Sequence, residues 1–458
     1  MASTRRLSAA TLLPHVVLQL RAHVRPGQRV CVGLSGGRDS VVLLHLIAQA
    51  GAEFSMSVSA IHVNHQISPN ANRWVDFCSA LCEKISIPLH IEQVCVVRNS
   101  GKGLEASARA ARYAAYARCA AEVILLAHHR DDQAETVLLQ ALRGAGLRGI
   151  SAMPAVKSLG PDKQIIRPLL DVAPAILADY ATANDLTWIH DESNDNIHYT
   201  RNFLRHDIFP RLAEHVPQGT ASLVRLSQHA AEAQDLLDDL AQIDSEFMLC
   251  AGRIRVSRLL SLSSARAKNF LRYAFNEASI PVPNSVQMSE ILQQLRSRKA
   301  DDQTEIKWAN WCLRCYRDEI YLAIESGGSQ SAWSIPWPGE TELSWPHGGG
   351  VIHMEHAIGS GIAQRSITGR TLFFRSRVGG EKIRLAENRP RRSLKNLLQE
   401  KGVPPWLRET MPLLFCDETL IWVPDVGVDI QYAAKSDEPS LEFSWQDEAD
   451  KGTVPEGV

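Results

Sequence analysis

A glycine-containing turn between a strand and a helix is the feature that most constrains this chain. Residues 30–34 form a short apolar run typical of a buried strand. The sequence Ser-Gly-Gly-Arg-Asp-Ser follows at residues 35–40, and apolar residues at helical spacing come next. Glycines let the backbone approach a phosphate group closely, and the unpaired N–H groups of the first helical turn point toward the anion. The stretch therefore predicts a phosphate-binding turn.

The side chains of this turn indicate which class of phosphate-binding loop it belongs to. A Walker loop has the pattern GxxxxGK[ST], with a lysine that reaches the terminal phosphates, and this turn has no such lysine. The pattern SGGRDS instead resembles the PP-loop of the ATP pyrophosphatase superfamily, which cleaves ATP between its first and second phosphates. In that resemblance Asp39 faces the leaving pyrophosphate through Mg²⁺, and ATP is bound by the loop residues Ser35, Gly36, Gly37, Arg38, Asp39 and Ser40. The alternative is an ordinary turn in which Asp39 only caps the helix.

Composition sets broad limits on the whole chain. Its 458 residues are enough for two or three domains, and its net charge of -2 gives no overall sign of nucleic-acid binding. The nine cysteines are scattered, which is typical of a reduced, cytoplasmic protein and not of a disulfide framework. The first 25 residues predict an amphipathic helix and not a signal peptide, and no apolar run is long enough to span a membrane.

Strands and helices alternate after the phosphate-binding turn. Strands are predicted at residues 56–63, 89–97 and 123–127, and helices at residues 74–85, 104–120 and 131–142. Such alternation predicts an α/β domain with a parallel sheet covered on both faces. Ligands of these folds bind at the carboxyl ends of the strands, so the turn, the segment around His62 and the segment after residue 127 should converge on one site.

A second informative stretch begins at His128. Asp132 and Glu135 are three residues apart on the predicted helix, so they share a face and could hold one cation, either Mg²⁺ or an amine. Acidic residues also favour the first turn of a helix because they complement its dipole, and this is the alternative. The His128–His129 pair has no third ligand at zinc spacing in the sequence.

Arg109 and Arg112 fall on one face of the preceding predicted helix. Next to a nucleotide loop they could bind phosphate as a fork. Arg109 could equally form an exposed pair with Glu105, four residues earlier.

Together these motifs resemble one family. The segments SGGRDS, IHVNHQIS, GLEASARAARY, LAHHRDDQAETVLLQALRGAG, IRPLL and HDESNDNIHYTRNFLRH occur in the order seen in tRNA(Ile)-lysidine synthetases. The resemblance runs through about residue 215 and resumes more weakly beyond it. It implies an enzyme that uses ATP to join L-lysine to carbon 2 of the wobble cytidine of a CAU-anticodon isoleucine tRNA. The reaction passes through an O-adenylated cytidine and releases pyrophosphate and AMP.

The resemblance assigns roles to the residues singled out above. His62, Arg109 and Arg112 would join the loop in binding ATP, and Asp39 would hold the metal. Asp132 and Glu135 are expected to bind the ammonium group of lysine, and His128 to contact a phosphate or transfer a proton. The predicted catalytic set is thus Asp39, His128, Asp132 and Glu135. Lysine arrives protonated, with an amine pKa of about 10.4, and needs a base or a desolvating site.

Two segments are candidates for contact with tRNA. The block 191–205 reads as a polar loop followed by a capped helix, and the resemblance leaves open whether its Arg201 and Arg205 form the site or face tRNA. Residues 374–408 contain ten lysines and arginines and three glutamates, a net charge of about +7. The predicted tRNA contacts there are Arg389, Arg391, Arg392 and Lys395, with a merely solvated basic face as the alternative.

The domain prediction has five parts. Residues 1–215 are predicted to form the PP-loop catalytic domain, and residues 218–325 a mostly helical middle domain that binds tRNA. A loop-rich joint is predicted at residues 326–365, followed by a small basic α+β C-terminal domain that binds tRNA at residues 366–440. Residues 441–458 are predicted to be an acidic tail, with disorder from about Pro439. Cys312 and Cys315 read as packed strand cysteines and not as a metal site. The resemblance also implies a possible homodimer. The alternative functions are a tRNA thiolation enzyme and a non-catalytic RNA-binding protein.

Overall fold

The computed structural model describes residues 7–54, 56–96, 103–250, 253–298, 304–324, 333–345 and 350–446. The chain divides into two compact units, residues 1–236 and residues 237–458. The predicted domain boundaries at 215–218 and 325–366 do not coincide with this division and stay predictions.

The first unit alternates helices and strands along most of its length. Its strands are β1 (Arg29–Gly33), β2 (Ser57–Asn64), β3 (Leu89–Gln93), β4 (Val123–Leu125), β5 (Val156–Ser158) and β6 (Gln164–Ile166). Its helices are α1 (Leu12–His23), α2 (Arg38–Phe54), α3 (Ala71–Lys84), α4 (Leu104–Arg118), α5 (Arg130–Leu142), α6 (Leu147–Ile150), α7 (Pro174–Ala183), α8 (Thr200–Phe203) and α9 (Phe209–His215). The long helix α10 (Gly219–Met248) runs across the division between the units.

The six strands form one sheet in the order β3-β2-β1-β4-β6-β5. All neighbours pair in parallel except β5, which is an antiparallel edge strand. The predicted parallel sheet is therefore confirmed. Strands β5 and β6 are absent from the sequence prediction because three-residue strands leave too short a pattern to recognise.

The N-terminal helix packs into the core of this unit. Leu12, Val16 and Leu20 of α1 are fully buried in the cluster that also contains Val30 and Val32 of β1. The prediction of an amphipathic helix at this place is confirmed. Among the described residues, no helix has both the length and the apolar character needed to cross a membrane.

Two strands end earlier than the sequence predicts, and this shapes the site. Strand β3 ends at Gln93 and β4 at Leu125, four and two residues before the predicted ends. Because β4 leaves the sheet at Leu125, His128 and His129 lie beyond the strand and directly before α5. The two histidines therefore lie at the carboxyl edge of the sheet.

The second unit combines helices with antiparallel sheets. Its remaining helices are α11 (Val256–Ser261), α12 (Ser264–Glu277), α13 (Ser285–Ser297), α14 (Gln364–Ile367), α15 (Leu394–Glu400) and α16 (Pro405–Thr410). Its strands are β7 (Leu249–Cys250), β8 (Arg253–Arg255), β9 (Thr304–Trp308), β10 (Trp311–Tyr316), β11 (Glu319–Ile324), β12 (Ser334–Pro336), β13 (Glu342–Ser344), β14 (Val351–Ile358), β15 (Ile362–Ala363), β16 (Leu372–Arg375), β17 (Lys382–Ile383), β18 (Arg392–Ser393), β19 (Leu413–Cys416), β20 (Thr419–Val423), β21 (Gly427–Val428) and β22 (Pro439–Gln446).

The middle region pairs helices α11–α13 with the sheet β7-β8-β11-β10-β9. Helices α11 and α12 are separate, because the Ser263 hydroxyl accepts a hydrogen bond from the Arg266 N–H and starts α12. Strand β10 pairs in antiparallel fashion with both β9 and β11. Cys312 and Cys315 are buried in β10, as predicted for packed strand cysteines.

The C-terminal sheets correct two predictions. Strands β12 to β15 lie within residues 334–345 and 350–363, so these described stretches are not a loop-rich joint, and β14 pairs with β22 over eight residues. The prediction of a disordered tail is therefore wrong for residues 439–446. Leu441 and Phe443 alternate with polar residues and pack into the core beside Phe374 and Trp422. Residues 447–458, 325–332 and 346–349 lie outside the described residues.

We expect Phe443→Ala to lower the free energy of unfolding by about 3–5 kcal/mol, because it removes a buried aromatic side chain from this core. Chemical denaturation followed by tryptophan fluorescence measures the change, since Trp345 and Trp422 lie in the same cluster. The matched control is Ser444→Ala, which changes the exposed neighbour in β22. Equal stability of the two variants would contradict the placement of this strand.

Candidate active site

The turn after β1 is held by hydrogen bonds among its own hydroxyl groups. The buried Ser40 hydroxyl donates to the Gly37 carbonyl oxygen at 2.8 Å and accepts from the Ser35 N–H at 3.2 Å. The hydroxyl oxygens of Ser35 and Ser40 lie 3.1 Å apart, and the Gly37 N–H donates to the Ser35 hydroxyl at 3.3 Å. These bonds fix the turn in the shape from which α2 begins at Arg38.

The two glycines of the turn meet different structural requirements. Gly36 has a φ of 89°, and its carbonyl accepts a hydrogen bond from the Ile189 N–H at 2.9 Å. A Cβ at Gly36 would lie 2.8 Å from the Ile189 Cδ1 atom. At Gly37 an added Cβ would meet only the Ser35 hydroxyl, at 3.5 Å. Gly36 is therefore needed for the backbone itself, whereas Gly37 leaves the surface of the turn open to a ligand.

Asp39, in the first turn of α2, has two cationic neighbours. Its Oδ1 accepts from the Arg38 Nε at 2.9 Å, and its Oδ2 lies 3.5 Å from the His129 Nε2. Burial acts to raise the pKa of Asp39, but the His129 ring and the Arg38 guanidinium outweigh it, so that pKa is lowered. The carboxylate is consequently ionised at neutral pH and suited to a cation.

His62, at the end of β2, contacts the backbone directly before the turn. It is buried, and its Nδ1 donates to the Leu34 carbonyl oxygen at 2.9 Å. Burial lowers the pKa of this imidazole, so it is neutral at pH 7. In the structure His62 ties the end of β2 to the end of β1, and its contact with ATP stays a prediction.

His129 is a site residue that sequence reasoning passed over. It caps α5: its N–H donates to the Asp132 carboxylate at 3.1 Å, and its Nδ1 accepts from the Asp132 N–H at 3.4 Å. The same ring faces Asp39, so it links the phosphate-binding turn to the acids of α5. The spacing His129-x-x-Asp132, which matches a helix cap, was the signal in the sequence.

His128 is a half-buried, neutral imidazole whose Nδ1 atom is buried. Burial lowers its pKa to about 3, and the positive charges of Arg167, Arg201 and Arg109 act in the same direction. Within the described part of the chain, its Nδ1 has no hydrogen-bond partner. The ring is therefore able to donate or accept one further hydrogen bond at this edge of the sheet.

Two carboxylates of α5 and two guanidinium groups form a partly buried ion cluster. The Arg205 Nε donates to the Glu135 Oε1 at 2.6 Å, and its Nη2 donates to the Asp132 Oδ1 at 2.8 Å. The Arg201 Nε donates to the Glu135 Oε2 at 2.9 Å, and its Nη2 reaches the Asp132 Oδ1 at 3.4 Å. Glu135 is only 2% exposed. The cluster balances two negative charges with two positive ones.

The two arginines come from a short helical stretch with an unusual turn. Arg201 lies in α8, and Arg205 lies in the π-helical turn Leu204–Ile208 that follows it. Such turns are frequent at functional sites. Burial acts to raise the pKa of Asp132, but His129 and the two guanidinium groups hold it below its usual value. The structure therefore brings this block into the site, while contact of Arg201 and Arg205 with tRNA stays a prediction.

Arg109 and Arg112 of α4 make separate contacts. The Arg112 Nε donates to the His65 Nε2 at 3.3 Å, and the Arg109 Nη2 donates to the Tyr113 hydroxyl at 3.1 Å. Burial, and then the charge of Arg112, lowers the pKa of His65 to about 4, so its ring is neutral and able to accept. The side chain of Glu105 lies outside the described residues, so the exposed pair weighed for Arg109 is not tested.

The basic segment of the second unit is partly neutralised by its own acids. Arg392 pairs with Glu400 at two oxygens, one of them at 3.0 Å. Arg391 lies 3.7 Å from the buried carboxylate of Asp429. The described contacts give no ion pair to the exposed side chains Arg389 and Lys395. Those two cations are the predicted tRNA contacts that the structure leaves most available.

Three family models match successive parts of the chain. A PP-loop domain matches residues 12–212, a TilS substrate binding domain matches residues 255–321, and a TilS substrate C-terminal domain matches residues 372–445. The order of the three agrees with the order of the folded regions.

Curated relatives match nearly the whole chain. A tRNA(Ile)-lysidine synthase of Nitrosomonas europaea is 40% identical over 97% of this chain and 98% of its own length. One of Aromatoleum aromaticum is 38% identical over 93% of this chain and 99% of its own length. Among solved structures, a U34-tRNA thiolase of Methanococcus maripaludis aligns with a TM-score of 0.43 at 19% identity, covering 49% of this chain and 79% of that chain.

We expect Gly36→Ala to lower the free energy of unfolding by about 1–2 kcal/mol, because alanine is strained at a positive φ. Gly37→Ala should leave stability unchanged, since its Cβ meets open space apart from one hydroxyl. Thermal unfolding of the two variants measures the difference. A smaller loss for Gly36→Ala than for Gly37→Ala would contradict the geometry of the turn.

Proposed function

This chain belongs to the family of tRNA(Ile)-lysidine synthases, which are ATP-dependent PP-loop ligases, and we propose that it makes lysidine. The substrates are ATP, L-lysine and an isoleucine tRNA with a CAU anticodon. The wobble cytidine oxygen attacks the α-phosphorus of ATP, and pyrophosphate leaves. The ε-amine of lysine then attacks carbon 2 of the adenylated cytidine, and AMP leaves.

One observation carries this proposal: a phosphate-binding turn and a balanced ion cluster are joined by a single histidine ring. His129 lies 3.5 Å from Asp39 of the turn and 3.5 Å from Asp132 of the cluster. A nucleotide bound at the turn and an amino acid bound at the cluster would therefore be neighbours. This is the arrangement that two-step ligation requires, since the amine must reach the carbon that ATP has activated.

The donor set fits a magnesium ion bound together with ATP. Mg²⁺ is usually held by one or two carboxylates plus the phosphates of the substrate. Asp39 is ionised and lies in the phosphate-binding turn, so it supplies such a carboxylate. An ion held there would neutralise charge on the leaving pyrophosphate. In the described part of the chain, no group of three or more His, Cys, Asp or Glu side chains is placed to hold a metal by itself.

The ion cluster fits a lysine zwitterion. Lysine brings ammonium groups, for which Asp132 and Glu135 are partners, and a carboxylate, for which Arg201 and Arg205 are partners. In the form that reacts, with its ε-amine neutral, lysine is a zwitterion without net charge, so it can exchange partners with the balanced cluster and leave no charge unpaired. The buried position of Glu135 favours recognition, since a charge-assisted bond gains strength away from water.

His128 suits hydrogen bonding better than proton removal. A base with a pKa of about 3 is far too weak to take a proton from an ammonium group whose pKa is about 10.4. Its free Nδ1 can instead serve a phosphate oxygen or a substrate hydroxyl. Of the two roles expected from the sequence, phosphate contact is the one that the burial of His128 supports.

A single assay tests the proposed reaction. The protein is incubated with ATP, labelled lysine and a CAU-anticodon isoleucine tRNA, and AMP, pyrophosphate and label on the tRNA are measured. We expect all three products, with none of the label transferred to a tRNA whose wobble base is not cytidine. Pyrophosphate with no label on the tRNA would point instead to another PP-loop reaction.

Asp39→Asn should reduce the rate of AMP formation roughly a hundredfold, because it removes the charge that holds the metal against pyrophosphate. This loss corresponds to about 3 kcal/mol of transition-state stabilisation. Steady-state rates with a thermal unfolding curve measure the effect and exclude misfolding. The exposed Asp76 of α3 provides the control variant Asp76→Asn. Turnover near the wild-type rate in Asp39→Asn would refute the role of this carboxylate.

Glu135→Gln should raise the KM for lysine by roughly tenfold or more, because a charge-assisted bond to the ammonium is worth about 1.5–3 kcal/mol. The KM values for lysine and ATP are measured on the same preparation. An unchanged lysine KM combined with a loss of ATP affinity would assign Glu135 to the nucleotide and the metal.

Arg389→Gln combined with Lys395→Gln should weaken tRNA binding and reduce the slope of log K against log salt by roughly 2, nearly one unit for each phosphate that the protein no longer neutralises. A salt titration of tRNA binding measures the slope. The matched control is Arg392→Gln combined with Glu400→Gln, which removes an ion pair without changing the net charge. Parallel titrations for all three proteins would mean that this face is only solvated.

A further inference from the structure

Arg167 is a buried cation with no counter-charge in the described structure. It follows β6 directly and is 3% exposed. Its Nη1 donates to the Pro154 carbonyl oxygen at 2.7 Å, and its Nη2 donates to the Tyr113 hydroxyl at 3.1 Å. Among the described residues its Nε has no hydrogen-bond partner, and no carboxylate pairs with the guanidinium group. Burying an unpaired charge is costly, so this arrangement needs an anion from elsewhere.

Further positive charge surrounds the same tyrosine. The Arg109 Nη2 donates to the Tyr113 hydroxyl at 3.1 Å, and its guanidinium carbon lies 5.0 Å from the ring centroid. The Lys157 Nζ lies 5.4 Å from that centroid. Two guanidinium groups and an ammonium group thus converge on one phenol.

The Tyr113 hydroxyl holds the two guanidinium groups together. Its oxygen has two lone pairs, and each accepts one N–H, from Arg109 and from Arg167. Two like charges repel each other, and an acceptor or an anion between them offsets that repulsion. The tyrosine supplies the shared acceptor and fixes a pair of donors that come from α4 and from the end of β6.

Strand pairing places this cluster beside the active site. Strands β4 and β6 are parallel, with Leu125 opposite Ile166, so their carboxyl ends meet at one edge of the sheet. Arg167 is the first residue after β6, and His128 is the third after β4. The charges of Arg167 and Arg109 both act to lower the pKa of His128, after the larger effect of burial, which agrees with this proximity.

We propose that Arg167 and Arg109, positioned by Tyr113, form an oxyanion site that takes a phosphate group of a substrate. The proposal deepens the function proposed above and rests on it. Paired guanidinium groups match the geometry of phosphate oxygens, and a phosphate supplies the negative charge that Arg167 lacks. The phosphate comes either from ATP or from the RNA backbone beside the wobble cytidine, and binding measurements distinguish these sources.

The test compares three variants of the full-length protein. Arg167→Gln removes the buried charge, and Tyr113→Phe removes only the shared acceptor and keeps the ring. The control Arg118→Gln removes a cation from the same helix α4, where Arg118 pairs with Glu92 at the surface. The probes are ATP with Mg²⁺ and an unmodified CAU-anticodon isoleucine tRNA.

We expect Arg167→Gln to lower turnover about tenfold to a hundredfold, and Tyr113→Phe to lower it by a smaller factor, with Arg118→Gln like the wild type. The unfolding temperature of Arg167→Gln should stay the same or rise, because an uncompensated buried charge is removed. If Arg167 only stabilised the fold, the unfolding temperature of Arg167→Gln would fall.

Two binding measurements identify the source of the phosphate. A weaker stabilisation by ATP with Mg²⁺, without tRNA, assigns the site to ATP. A salt slope of tRNA binding reduced by about one assigns it to the RNA backbone. Neither measurement needs turnover, so both hold even if the wild-type protein fails to make lysidine.

Three results would overturn the proposal. The first is wild-type turnover and wild-type binding of both probes in Arg167→Gln. The second is a lower unfolding temperature of Arg167→Gln together with normal turnover in Tyr113→Phe, which would make Arg167 a structural residue. The third is a change in the KM for lysine alone, which would mean that Arg167 and Arg109 bind the carboxylate of lysine and not a phosphate.

Discussion

Parallel pairing around β1 is the constraint on which the site depends. Because β1 lies between β2 and β4 with all three strands running the same way, the segments that follow them leave the sheet at one edge. The phosphate-binding turn follows β1, His65 follows β2, and His128 and His129 follow β4. A slip of one residue in any of these pairings would turn a strand's side chains to the opposite face and break the site apart. The buried apolar residues of β1 and α2 hold that register.

Charge balance under burial is the second condition. Asp39 is partly buried and Asp132 and Glu135 more deeply so, and each has a basic side chain as its partner. Ion pairs removed from water add little net stability, because desolvation offsets their attraction, but breaking one is costly since the other partner is left buried alone. Arg167 departs from this pattern. It is the buried charge whose partner is not supplied by the described residues, which is why it points to a substrate.

The sequence allowed the local parts of the site to be predicted, but not the partners that come from far along the chain. The strand–turn–helix around residue 36 and the shared helix face of Asp132 and Glu135 follow from short-range spacing, and both are present. Arg201 is 66 residues from Glu135, and no periodicity connects them. The strands at residues 334–363 were missed for a related reason. Their composition is rich in Gly, Ser, Pro and Trp, and their main partners are β16 and β22.

Strand β22 has a consequence for the way this protein is made. It completes the sheet by pairing with β14, and the two nearest partners, Ile358 and Pro439, are separated by 81 positions along the chain. At a synthesis rate of about 5–20 residues per second, the edge of β14 stays without its partner for roughly 4–16 seconds on the ribosome. An open strand edge is a template for pairing with other chains. A chaperone that covers the edge of β14 during this interval would therefore protect the nascent chain from such pairing.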